Sequence, residues 1–134
     1  MRSEAGVALT VTAHQPEERL AAMIETHLPA LVSCYAGVSA FCSQETHPTI
    51  LDLLRIHGVD VYIDPEASDG IQRIGEVRRR TVGVGLEAGT PHLQMCDFDR
   101  ALHWVAHYPH ELRTVIDDIP GHDLLVLGRT ERAW

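Results

Sequence analysis

Asp97 and Asp99 stand one residue apart in Asp97-Phe98-Asp99, directly after the apolar run 92–96. Two carboxylates so spaced can hold a hard divalent ion, one directly and one through water, leaving positions on the ion that bridge phosphate oxygens. Other groups that could meet a ligand follow other apolar runs. His14 and Gln15 come after 7–12, Ser43, Gln44 and Glu45 after 38–42, Asp64 closes the run 59–64, and Arg129 follows 123–127. If these runs are parallel strands, their carboxyl ends open into one crevice and the polar residues mark its rim. Strand ends also emerge into water, so each of them taken singly has an ordinary explanation.

Three further patterns carry less than their spacing suggests. Gly83, Gly85 and Gly89 imitate a dinucleotide fingerprint, but that motif needs a strand before it and a helix after it. Here an Arg-rich helical stretch precedes and a strand follows. His103 and His107 lie four apart with His110 nearby, a zinc-like spacing. No Glu follows the first His, and Pro109 interrupts the run, so these read as half-exposed histidines on an amphipathic helix. Arg78, Arg79 and Arg80 point in different directions on a helix, so at most one or two can face a crevice and the rest are solvated.

The elements that would position these groups alternate strictly. A strand over 7–12 leads to a helix with Pro16 in its first turn, Glu17 and Glu18 favouring its dipole, and Leu20, Met23, Ile24, Leu28 and Leu31 at helical spacing. Pro29 should kink or end that helix. A strand over 38–42, a helix over 48–57 stopped by Gly58 and a strand over 59–64 follow. A polar turn at 65–69 opens a helix running to Ala88, weakened locally by Gly83 and Gly85 and stopped by Gly89. After the strand 92–96 come a short helix at 101–107, a break at Pro109, a helix at 110–118 and a last strand at 123–127. Parallel neighbours need crossover helices, so the expectation is an α/β fold: a doubly wound, mainly parallel sheet of about five strands with flanking helices. The first strand should then lie between the second and fourth, with His14 across the crevice from Asp97.

Whole-chain properties narrow the class. The 134 residues suit one core, so residues 1–134 are read as a single domain. Hydrophobic residues make up 45% and charged residues 22%, as in globular chains, and no run reaches the roughly 18 apolar residues of a membrane span. The apolar run at 7–11 is too short for a secretory signal, and the reading is cytoplasmic. A net charge of −8 argues against a nucleic-acid partner. All 11 basic residues are Arg, which excludes Schiff-base and Walker-type lysine chemistry. Cys34, Cys42 and Cys96 lack Cys-x-x-Cys spacing and read as reduced core thiols.

Gly75, then Arg80-Thr81-x-Gly83, then Ala88-Gly89, then an apolar strand into Asp97-x-Asp99 resembles the inverting, family-two-type glycosyltransferases of the GT-A fold. Pro109-His-Glu-Leu112 and the run 123–129 ending in Gly128-Arg129 resemble the later segment of dolichyl-phosphate-mannose-synthase-like members. The likeness covers about residues 6–130. It implies a nucleotide-diphospho-sugar transferase-like domain, in which Mn²⁺ or Mg²⁺ on Asp97 and Asp99 holds a nucleoside-diphosphate sugar. It also implies that His14 and Gln15 touch the nucleotide base, that Glu45 lies where base or ribose is bound, and that Arg80 belongs to the donor-site helix; Asp64, at its strand end, is read as a further residue of the nucleotide site. Thr12-Ala13-His14-Gln15 stands where the family has Pro-x-Tyr-Asn-Glu, and Thr81 where it has Asn. The family's acceptor region and catalytic base come later than residue 134, so no base is named here. The expectation is a metal-dependent hexosyltransferase domain that is completed by a C-terminal acceptor region or a homo-oligomeric partner. Its rivals are a non-catalytic module of the same fold for binding or assembly and, less favoured, a metal-dependent nucleotidyltransferase.

Overall fold

The computed structural model describes residues 6–67 and 73–127. Four strands, β1 (Val7–Ala13), β2 (Gly37–Cys42), β3 (Asp60–Ile63) and β4 (His92–Asp97), pair in parallel in the order β3-β2-β1-β4. Among the described residues five helices flank them: α1 (Ala21–Ser33), α2 (Pro48–Ile56), α3 (Ile74–Leu86), α4 (Phe98–His107) and α5 (Pro109–Asp118), the last running into a 3-10 turn at Ile119–Gly121. The architecture is α/β with an all-parallel sheet between helices, as the alternation of elements implied.

Alternation within β1 explains both faces of the sheet. Its odd positions, Val7, Leu9, Val11 and Ala13, join Ile24, Leu28 and Leu31 of α1 and Phe98, Leu102 and Val105 of α4 in one buried core. Its even positions carry Thr10 and Thr12, which turn to α3 because successive side chains in a strand point to opposite faces. There Thr10 Oγ1 donates to the Thr81 carbonyl at 2.7 Å, and the Thr12 and Thr81 hydroxyls are 3.0 Å apart. Since Thr81 Oγ1 itself donates to the Val77 carbonyl at 2.8 Å, Thr12 is the donor between the two. Close approach is possible because Gly85 faces the sheet: a Cβ there would lie 2.7 Å from both Thr10 Cβ and Leu93 Cδ1. Running from β1 through β2 to β3 and then back past β1 to β4 requires α3 to cross on the face opposite α1, given right-handed crossovers.

Several expected boundaries shift. Residues 123–127 form no strand, so the sheet has four strands among the described residues rather than five; Leu124 and Val126 are 81% and 80% exposed. Their composition suits a strand, but no edge among the described residues pairs with them. Arg129, expected at that strand's end, lies outside the described residues. α1 begins at Ala21, leaving Pro16 outside it, and passes through Pro29 to Ser33. Buried Leu28 and Leu31 on either side of the proline keep the helix on the core despite the lost backbone donor. α3 ends at Leu86 and starts at Ile74; the expected start near residue 70 lies outside the described residues. α4 begins at Phe98 instead of residue 101, with the Phe98 ring buried as its first anchor.

Candidate functional site

The strand order reverses between β1 and β4, the point in an open α/β sheet where ligands enter. Thr12 of β1 is in register with Asp97 of β4, so the segment that follows β1 and the Asp97-Phe98-Asp99 segment leave the sheet side by side. The expected placing of the first strand between the second and fourth holds. His14 is exposed, with Nδ1 2.7 Å from Ser43 Oγ; Ser43 Oγ is 2.9 Å from Thr46 Oγ1. Gln15 is partly buried, and its carbonyl accepts from the His47 N–H at 2.7 Å. Glu45 is exposed in the turn between Ser43 and Thr46. The β2 and β3 ends are tied by Gln44 Nε2, which donates to the Pro65 carbonyl at 2.7 Å.

Asp64 at the end of β3 is buried, and its oxygens are engaged by the protein. Arg73 Nη1 donates to Oδ2 at 3.0 Å, and the Glu66 N–H donates to Oδ1 at 3.0 Å. Burial pushes the Asp64 carboxyl up, but these bonds and the charges of Arg73 and Arg80 outweigh it, so the group is held below the ordinary carboxylate value. Arg73 also donates to Glu66 at 2.8 Å and to the Ala67 carbonyl at 3.0 Å. Asp64 is thus placed to hold the β3 end together, with Arg80 near enough to act on it electrostatically.

On α3, Arg78 and Arg79 are exposed, whereas Arg80 is half-buried, its Nε 3.4 Å from Glu76 Oε1. That Nε is shielded from water and has no hydrogen-bond partner among the described residues, so the Glu76 contact is an ion pair without hydrogen-bond geometry. Gly83, part of the expected pattern with Arg80, has open space around it; the glycine that packing requires is Gly85.

Asp97 occupies the residue before α4 in an extended conformation, the usual place of a helix cap, yet its side chain makes no capping bond. Asp99 Oδ1 accepts from the Arg100 N–H at 2.9 Å. Both carboxylates are exposed and both disfavour ionisation of the neighbouring Cys96 thiol, which burial above all pushes up to about 11. Asp97 lines a cavity of about 820 Å³ between β4 and residues 119–127, with Arg100, His103, Trp104 and Tyr108 on its wall. Asp99 lines a smaller hollow of about 260 Å³ with Leu20, Met23 and Leu102. Among the described residues no group of three or more His, Cys, Asp or Glu side chains converges as a metal site. An ion held here would have Asp97 and Asp99 as its protein ligands and need water or ligand oxygens for its other positions. The His103 and His107 rings lie with centroids 4.5 Å apart and their planes tilted by 49°, both exposed.

Three groups of residues at this end of the sheet escaped the sequence reading: the Thr10, Thr12 and Thr81 ladder, Arg73, and His47. The threonines had a signal, since hydroxyls at alternate positions of an otherwise apolar strand ask for a polar neighbour. Arg73 and His47 had none, because their partners are set by how loops meet. No helix among the described residues is long and apolar enough to cross a membrane. Comparison with protein-family models, with curated proteins and with solved structures finds no match.

Proposed function

We propose that this chain is a GT-A-like domain that binds a nucleoside-diphosphate sugar with a divalent ion and serves transfer of the sugar to an acceptor. The observation that carries the reading is the Thr12–Asp97 register at the reversal of strand order, which sets the segment bearing His14 and Gln15 beside Asp97, whose side chain makes no capping bond, and the following Asp99. In this reading His14 and Gln15 meet the base, Glu45 lies at its outer edge, and Asp64, fixed by Arg73, shapes the floor. Arg80 meets the diphosphate. Asp97 and Asp99 would hold Mn²⁺ or Mg²⁺, which supplies charge neutralisation on a leaving diphosphate. The chain's own task is to bind and orient the donor, since orientation and fixed charge supply most of the stabilisation in such a transfer.

A second reading, binding without transfer, is favoured by one observation: Asp97 and Asp99 line different hollows. Calorimetric titration with UDP and GDP, with Mn²⁺ and again with EDTA, tests the binding common to both. Release of sugar from the corresponding nucleotide sugar separates them.

A further inference from the structure

His47 touches two separate segments with one ring. Its Nδ1 accepts from the Thr49 N–H at 3.1 Å, which caps α2, and its Nε2 is 3.1 Å from Glu18 Oε1. A ring nitrogen that accepts from a backbone N–H carries no proton, so the proton of the neutral ring is on Nε2, where the Glu18 carboxylate accepts it. One tautomer satisfies both contacts. The His47 backbone N–H adds a third tie, to the Gln15 carbonyl.

These contacts span the segment 14–20, which has no regular secondary structure and carries His14 and Gln15 into the crevice. Two side-chain contacts and one backbone bond tie it to the β2–α2 side: His14 to Ser43, Glu18 to His47, and the Gln15 carbonyl to the His47 N–H. We infer that His47 is a positioning residue, its ring latching the segment through Glu18 so that His14 and Gln15 are held in place for a ligand. The consequence for a nucleotide rests on the donor-site reading above; the latch itself does not.

A merely structural role, capping α2, is separable. In His47→Asn the shorter side chain can still cap, since Asn is a strong N-cap, but it does not reach Glu18. Glu18→Ala removes the latch from the other side. The pair is partly solvated, at 33% and 59% side-chain exposure, which limits its worth to that of a surface pair. Hydrogen exchange of residues 14–20 should quicken about two- to fivefold in either variant, with the double variant no faster than the single ones. Long-range ¹H–¹⁵N spectra should show the His47 Nε2–H tautomer in the wild type and in Glu18→Ala, since Thr49 still holds Nδ1. UDP or GDP affinity should fall by the same factor. Wild-type exchange in His47→Asn, or the Nδ1–H tautomer in the wild type, would overturn the latch. If the wild type binds neither nucleotide, the donor-site reading fails, and the exchange measurement still decides the latch.

Discussion

Arg73 and Asp64, nine residues apart, meet at the end of β3, where Arg73 Nη1 lies 3.0 Å from Asp64 Oδ2 with the two side chains only 14% and 4% exposed. A carboxylate so enclosed depends on its partner. Arg73→Ala leaves it with only the Glu66 N–H bond and the more distant Arg80 charge and should destabilise the fold, whereas Arg73→Ala with Asp64→Ala should cost less than the sum of the single changes. Urea denaturation of the four proteins measures it; additivity would show that the pair is not coupled.

The same pair sets an acid limb. The folded Asp64 pKa lies below its ordinary value of 3.8, so its contribution is fully present above that value and is lost as pH falls through the depressed folded value. The stability difference between wild type and Asp64→Asn should therefore be largest at neutral pH and shrink below about pH 4. Urea midpoints at pH 7 and pH 3 give the comparison, and a gap that widens in acid would contradict the assignment.

Gly85 packs closely against both β1, at Thr10, and β4, at Leu93. With a Cβ 2.7 Å from Thr10 Cβ and Leu93 Cδ1, Gly85→Ala should destabilise by roughly 1–3 kcal/mol despite alanine's better helix propensity. Gly83→Ala meets open space and should be neutral or stabilising. Thermal melts of the two variants separate packing from propensity, and equal effects would refute the close approach.

Arg80 is the member of the arginine run placed near Asp64, while Arg78 and Arg79 are exposed. Arg80→Ala should weaken binding of a nucleoside diphosphate by roughly 1–2 kcal/mol, a charge-assisted bond discounted for exposure, and Arg78→Ala should leave it unchanged. Equal losses in calorimetry would remove Arg80 from the crevice.

Much of the scaffold was readable because it rests on local pattern and handedness. Alternating elements dictate a parallel sheet, and the return from β3 to β4 places β1 between β2 and β4, which is how His14 and Asp97 come to neighbouring strand ends. What failed depended on contacts between distant segments. Leu124 to Leu127 look like a buried strand, but periodicity says nothing of whether an edge pairs with them. Gly83 and Gly85 are alike as helix weakeners, and only the approach of Thr10 and Leu93 tells them apart. Pro29 breaks helices in isolation, yet Leu28 and Leu31 are buried on either side of it. The Arg73 that engages Asp64 comes to it from beyond a loop, so that ion pair left no mark in the sequence pattern.

In the proposed donor site, Asp97 and Asp99 couple a divalent ion to a nucleoside diphosphate at the β1–β4 strand ends. Asp97 is exposed and makes no capping bond, so Asp97→Ala should leave the circular dichroism spectrum and melting temperature of the apo protein unchanged. The direct measurement is titration calorimetry of UDP and GDP with Mn²⁺, with EDTA, and with Mn²⁺ on Asp97→Ala. Binding of one nucleotide that needs Mn²⁺ and weakens roughly tenfold or more in the variant is the predicted result. Absence of binding, or equal affinity with Mn²⁺, EDTA and the variant, would contradict it.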